Sequence, residues 1–172
     1  IHHPIRWLHI YTMKIMQLIV LKQCTWIVGV SMNLTQELKQ TYAKVGERIV
    51  HIRNGIAIQR YATRRRSHRY PHVLDLINIS RFEKRKGHVL LLRALSLLVT
   101  SHPQISLRMF GPFRDNLYQL LLLSESLRLG THAAFFPALT PKERKGALLQ
   151  NDVFIMPSLE LENCPFSVIE AI

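Results

Sequence analysis

The sequence predicts an α/β fold in which parallel sheets are covered by helices on both faces. Short apolar runs of strand length alternate with helical segments of roughly 10–15 residues, which is the pattern of right-handed βαβ units. The runs themselves, Val73-Leu74, Leu76-Ile77, Ala133 to Phe136 and Val153 to Met156, are almost continuously apolar. Strands buried on both faces have that composition, whereas strands with one wet face alternate. The length, 172 residues, suffices for one well-cored domain or for parts of two.

Each element has its own local signal. Pro4 can open a helix at its first turn, and the segment from about Ile5 to Lys22 is apolar with polar interruptions. A strand follows at Trp26 to Val30. Ser31 to Tyr42 reads as a second helix with Ser31 and Asn33 as candidate caps, and Arg48 to Ile52 as a second strand closed by the turn pair Asn54-Gly55. The stretch Arg60 to Arg69 is basic and has no apolar periodicity, so the domain boundary is expected there, with residues 1–69 in one domain and its linker and 70–172 in the other. The alternation then restarts: strand Val73 to Ile79, helix His88 to about Ser101, strand Ile105 to Phe110, helix Asn116 to Leu129, strand Ala133 to Phe136. Thr140-Pro141-Lys142-Glu143 combines a capping box with proline at the first helical position. The last strand, Val153 to Met156, leads through a loop to a helical segment carrying Glu170.

Composition narrows the class. Hydrophobic residues make up 48% and charged ones 20%, a globular balance, and Lys14, Lys22 and Arg93 interrupt the longest apolar runs before they reach membrane-spanning length. Cys24 and Cys164 lie far apart without metal-ligand spacing, which suits a reducing compartment rather than a disulfide scaffold. The net charge of +12 is concentrated, with Arg60, Arg64, Arg65, Arg66, Arg69, Arg81, Lys84, Arg85 and Lys86 set against only Asp75 and Glu83. An anionic partner is implied: nucleic acid, an acidic membrane surface or the phosphates of a small ligand. For Arg60 to Arg69 a solvated linker is the competing explanation.

Ligands of open parallel sheets bind outside the carboxyl ends of the strands. Four loops qualify here: Ser80 to Gly87, Gly111 to Asp115, Pro137 to Thr140 and Pro157 to Pro165. The first brings fixed positive charge to a helix start, where backbone N–H groups also favour an anion, so phosphate is expected there. Gly111, directly after a strand, permits close backbone approach. Glu162 in the last loop and Glu170, with seven residues between them, accept hydrogen bonds, which suits hydroxyl groups; the bland alternative for each is a surface carboxylate. Phosphates at one end and hydroxyls elsewhere describe a nucleotide or nucleotide sugar. Neither a GxGxxG fingerprint nor a Walker A loop occurs, which argues against an NAD enzyme or a P-loop ATPase.

Taken together, Arg81-x-x-x-x-Lys86-Gly87 after a strand, Gly111 after the next, Asp152 to Ser158, Glu162-Asn163-Cys164-Pro165 and Glu170-Ala171 resemble the donor-binding domain of family-4 (group 1) glycosyltransferases, with the Glu-x7-Glu spacing of that family. Val28-Gly29-Val30-Ser31 and Ile52-Arg53-Asn54-Gly55 resemble the last strands of the family's first domain.

The resemblance implies a GT-B architecture of two Rossmann-like domains facing across a cleft, and sugar transfer from a nucleotide-sugar donor with retention of configuration, needing no cofactor and no metal. Arg81 and Lys86 would hold the pyrophosphate. Glu162, with the backbone of Asn163, Cys164, Pro165 and Phe166, would hold the donor sugar, and Glu170 the ribose hydroxyls. Pro137, in the loop from Phe136 to Leu139, would lie beside the base. His2-His3-Pro4 is similar to a histidine motif at the cleft edge of the first domain. The acceptor would be a glycan, a lipid-linked or another acceptor, and the enzyme cytoplasmic and peripheral at an anionic membrane surface. No nucleic acid partner is expected. The alternatives are a nucleic-acid binder using residues 60–86, a catalytically dead homologue, and a GT-B phosphorylase or synthase.

Some positions depart from the family pattern. Ser80 and Pro137 stand where glycine is common, Pro112-Phe113 replaces a second glycine, and Ala57 replaces an aspartate. The chain begins at Ile1 and stops inside a helix at Ile172, so a fragment truncated at both ends, inactive alone and with exposed core surface, is expected.

Overall fold

The computed structural model describes residues 4–57, 74–113 and 116–172. The chain divides into two units, Ile1–Asn54 and Gly55–Ile172. The boundary expected between residues 69 and 70, the basic stretch Arg60 to Arg69, and His2 and His3 all lie outside the described residues.

In the first unit, helix α1 (Pro4–Gln23) precedes strand β1 (Ile27–Gly29), helix α2 (Met32–Thr41), a 3-10 turn (Ala43–Arg48) and strand β2 (Ile49–His51). The two strands pair in parallel, Ile27 opposite Ile49 and Gly29 opposite His51, as a β-α-β crossover requires. Ser31 caps α2: its hydroxyl accepts from the Leu34 N–H at 3.2 Å. Gly29 is needed for a steric reason, because a Cβ there would sit 2.2 Å from Thr35 Oγ1. The helix-start residue Thr35 can therefore press directly against the strand end.

The second unit holds a four-stranded parallel sheet in the order β5-β4-β3-β6. Its strands are β3 (Leu74–Ile79), β4 (Ile105–Phe110), β5 (Ala133–Phe136) and β6 (Val153–Phe154). Between them run α3 (His88–Ser101), α4 (Leu117–Ser126) and α5 (Pro141–Leu149), and α6 (Phe166–Ala171) follows β6. The fold is α/β with helices on both faces, as the apolar strand runs predict. Leu76 on β3 and Leu107 and Met109 on β4 face a core with Leu91, Leu92 and Leu95 of α3 and Leu120 of α4. One residue along the pleat, Ile77 and Ile79 face the opposite side with Phe110, Phe136, and Ala147 and Leu148 of α5. Each fully covered Leu or Met contributes about 1.5–3 kcal/mol relative to exposure.

Two boundaries differ from expectation by more than one residue. The helix predicted to Leu129 ends at Ser126 because Arg128 takes a left-handed conformation (φ 53°), and the Leu129 N–H turns back to the Ser124 carbonyl at 3.1 Å. That terminating geometry usually advertises itself with glycine, which stands here only at Gly130. The strand expected from Val153 to Met156 pairs over Val153 and Phe154 alone. Ile155 still donates its N–H to the Ile77 carbonyl at 2.8 Å, and Pro157, lacking an N–H, cannot extend the ladder.

Candidate functional site

β3 lies between β4 and β6, so the chain leaves β3 toward one edge of the sheet and later returns on its other side. The loops after β3 and after β6 diverge at this switch point, where open α/β sheets form their crevice. Three features bring those loops together. Gly87 has φ 73°, and a Cβ there would lie 1.9 Å from the Pro157 carbonyl oxygen. The Leu159 N–H donates to the Arg85 carbonyl at 2.8 Å. Asn78 Nδ2 donates to the Ile155 carbonyl at 2.8 Å. A 3-10 turn, Lys84–Lys86, then feeds α3 through Gly87.

Across this junction the ammonium of Lys86 donates to Glu162 Oε1. Ser158 Oγ donates to the same oxygen at 2.7 Å, and Arg85 Nη1 lies 4.0 Å away. Lys86 is only 9% exposed and the Glu162 side chain 17%, so the pair sits in a partly desolvated place where charge–charge contacts are strong. Burial pushes the Glu162 carboxyl up, but the hydrogen bonds from Lys86 and Ser158 and the charges of Lys86 and Arg85 outweigh it and hold the group below its ordinary value. An ammonium has three N–H donors, so the contact with Glu162 leaves Lys86 able to donate to a bound anion as well.

Behind Lys86 stands a buried polar network. Ser80 Oγ donates to Asn78 Oδ1 at 2.9 Å, and His88 Nε2 lies 3.0 Å from Ser80 Oγ and 3.2 Å from Asn78 Oδ1. Ser80, a departure from the family's glycine, thus has a defined role in this chain: it ties the β3 end to the α3 start. Burial lowers the His88 pKa, the Glu83 carbonyl offsets part of this, and the Lys86 charge lowers it further, so the imidazole is neutral at neutral pH.

The other expected residues distribute around this centre. Arg81 is half exposed and pairs with Glu83 at 2.9 Å, and Glu83 also receives Arg85 Nε at 3.0 Å. Gly111 is buried, its N–H donating to the Phe136 carbonyl, and a Cβ there would stand 2.1 Å from the Ser80 carbonyl oxygen. Phe113 is exposed and its ring stacks on Phe82 at 6.4 Å between centroids. Pro137 is exposed after β5. Asn163 and Cys164 are partly buried, Cys164 with φ 76°, and Pro165 forms the N-cap of α6, which begins at the exposed Phe166. Glu170, 10% exposed in its side chain, receives Arg144 Nη1 on both carboxylate oxygens, at 3.1 and 2.9 Å.

The structure therefore brings Lys86 to Glu162 and gives Glu170 a separate cation. Ser158, Arg144 and the Asn78–Ser80–His88 network were not anticipated from the sequence. Asn78 carried a usable signal, a polar residue on the inward side of an apolar strand. Arg144 carried none beyond its place in the first turns of a well-capped helix.

A parallel sheet whose switch point gathers fixed cations and carboxylates from facing loops has the arrangement in which open α/β sheets form their binding crevice. The chain belongs to the family described as Glycosyl transferases group 1, which residues 60–172 match. No curated protein sequence matches it. Its fold is that of GT-B glycosyltransferases. A glycosyltransferase from Rickettsia africae superposes with a TM-score of 0.74 at 22% identity, covering 86% of this chain and 41% of that one. An Anabaena protein crystallised with UDP and glucose gives 0.68 at 18% identity, covering 86% and 42%. Sucrose-phosphate synthase from Thermosynechococcus elongatus gives 0.68 at 18% identity, covering 90% and 40%. The chain thus spans about two fifths of the length of these structures. Among the described residues no helix is long and apolar enough to cross a membrane.

Proposed function

We propose that this chain carries the donor site of a family-4 glycosyltransferase that transfers a sugar from a nucleotide sugar to a glycan, lipid-linked or other acceptor, with retention and without metal or cofactor. The observation that supports this most is the contact between Lys86 and Glu162 at the switch point of a chain belonging to the group 1 family. In this reading Lys86 and Arg81 bind the pyrophosphate. As the bond from the anomeric carbon to the diphosphate oxygen breaks, the diphosphate leaves with the electron pair and gains negative charge, while the acceptor hydroxyl oxygen forms the new bond and passes its proton to the departing diphosphate oxygen. A preorganised cation facing that developing charge is worth about 3 kcal/mol.

Glu162 has two tasks in this scheme. It orients Lys86, and with the backbone of Asn163 to Phe166 it holds hydroxyls of the donor sugar. Glu170 takes the ribose hydroxyls, and Pro137 flanks the base. Gly111 lets the ligand approach the backbone after β4. A cytoplasmic enzyme that is peripheral at an anionic membrane would meet a lipid-linked acceptor there. Spanning about two fifths of the similar structures, the chain alone is expected to bind donor without turning it over.

A thermal-shift screen of the chain against UDP- and GDP-sugars tests this reading. The expected result is stabilisation by one nucleotide class that is lost in Lys86→Ala. No stabilisation by any nucleotide sugar would contradict it.

A further inference from the structure

We infer that Arg144 is a positioning residue that sets the ribose selectivity of the donor site through Glu170; this rests on the reading of Glu170 as the ribose ligand. Arg144 belongs to α5, whose start is rigidly built. Thr140 Oγ1 accepts from the Glu143 N–H, the Glu143 carboxylate receives the Thr140 N–H at 2.8 Å, and Pro141 occupies the first helical position. The Arg144 N–H makes the first helical bond back to the Thr140 carbonyl at 3.0 Å. The Arg144 backbone is thus anchored one turn from a fixed cap, in the element that follows the β5 loop.

From there Nη1 bridges both oxygens of Glu170, at 3.1 and 2.9 Å, although 26 residues separate the two in the chain. One nitrogen shared between two carboxylate oxygens fixes the plane of the carboxylate. A carboxylate offers about four lone-pair directions and this contact uses one on each oxygen, so the pairing does not by itself saturate Glu170. Arg144 Nε is buried and has no hydrogen-bond partner among the described residues. A buried unpaired N–H is costly. An arginine kept only for helix stability would not be expected to carry that cost. The guanidinium also compensates the charge of Glu170, which would otherwise repel an anionic nucleoside diphosphate. The β5–α5 element and α6 are in this way coupled at the hydroxyl-binding end of the site, as the loops after β3 and β6 are coupled by Lys86 and Glu162 at the other.

Calorimetric titration of the full chain with UDP and GDP, and with their 2′,3′-dideoxy counterparts, tests the inference in wild type, Arg144→Ala and Arg144→Lys. The nucleotide that binds should prefer its ribose form. Arg144→Ala should weaken the ribose form about tenfold and leave the dideoxy form unchanged, and Arg144→Lys should restore part of the preference. A merely structural arginine would weaken both forms equally, and that outcome overturns the inference, as does an unaltered preference in Arg144→Ala. If the wild type binds both forms alike, or neither nucleotide, the ribose role of Glu170 fails first and the inference falls with it. Circular dichroism of each variant separates lost preference from lost fold, and an unfolded Arg144→Ala shifts the decision to Arg144→Lys, which must then show a reduced preference.

Discussion

Lys86 and Glu162, 76 residues apart in the chain, meet through a hydrogen bond at the point where the loops after β3 and β6 diverge. One comes from a 3-10 turn and the other from a loop. Their meeting depends on Gly87, on the Leu159-to-Arg85 backbone bond and on Asn78 holding the β6 exit.

Gly87→Ala should separate these loops. The new Cβ would be strained at φ 73° and would overlap the Pro157 carbonyl. We expect a loss of about 1–3 kcal/mol in denaturant unfolding. An unchanged midpoint would show that the loops tolerate displacement.

Asn78→Ala removes both the donor to the Ile155 carbonyl and the acceptor of the Ser80 hydroxyl, leaving buried polar groups without partners. The expected cost is about 1–3 kcal/mol. Ser80→Gly, which restores the residue common in the family, should cost less, because His88 Nε2 keeps its contact with Asn78 at 3.2 Å.

His88 gives the chain an acid sensitivity. Its folded pKa lies below the ordinary 6.5, so the unfolded chain takes up that proton first. Stability from this site is complete above about pH 6.5 and is lost as pH falls through the folded value. Glu162 behaves alike one range lower: its folded value is below 4.5, so its contribution is complete above that pH and is lost as pH falls through the folded value. His88→Gln should flatten the upper part of a stability–pH curve and Glu162→Gln the lower part. Parallel curves for variants and wild type would contradict both assignments.

The sheet was legible in the sequence because its strands carry short, nearly continuous apolar runs, Leu76-Ile77 in β3 and the whole of β5 among them, spaced by helical segments. The capping box at Thr140 was legible because both of its partners lie within four residues. Lys86 and Glu162 could be nominated as cation and carboxylate from loop position, but their contact could not, since it depends on the register of β3 against β6, where Leu76 faces Val153. The Arg144–Glu170 pair was hidden for a similar reason. It joins two helices through side chains whose reach is set by packing, and a lysine or arginine on a short polar helix ordinarily faces solvent. The Asn78–Ser80–His88 network needs the pleat phase of β3 and the first turn of α3 together, and no single segment reveals it.

The central claim, that Lys86 is the anion-binding cation of a nucleotide-sugar site, is tested most directly by calorimetric titration of the full chain with UDP and GDP in wild type, Lys86→Ala and a control, Lys14→Ala, which removes one charge from α1. The account predicts that the nucleotide that binds wild type also binds Lys14→Ala with equal affinity and binds Lys86→Ala at least about tenfold more weakly. Equal affinity in Lys86→Ala and wild type would contradict it.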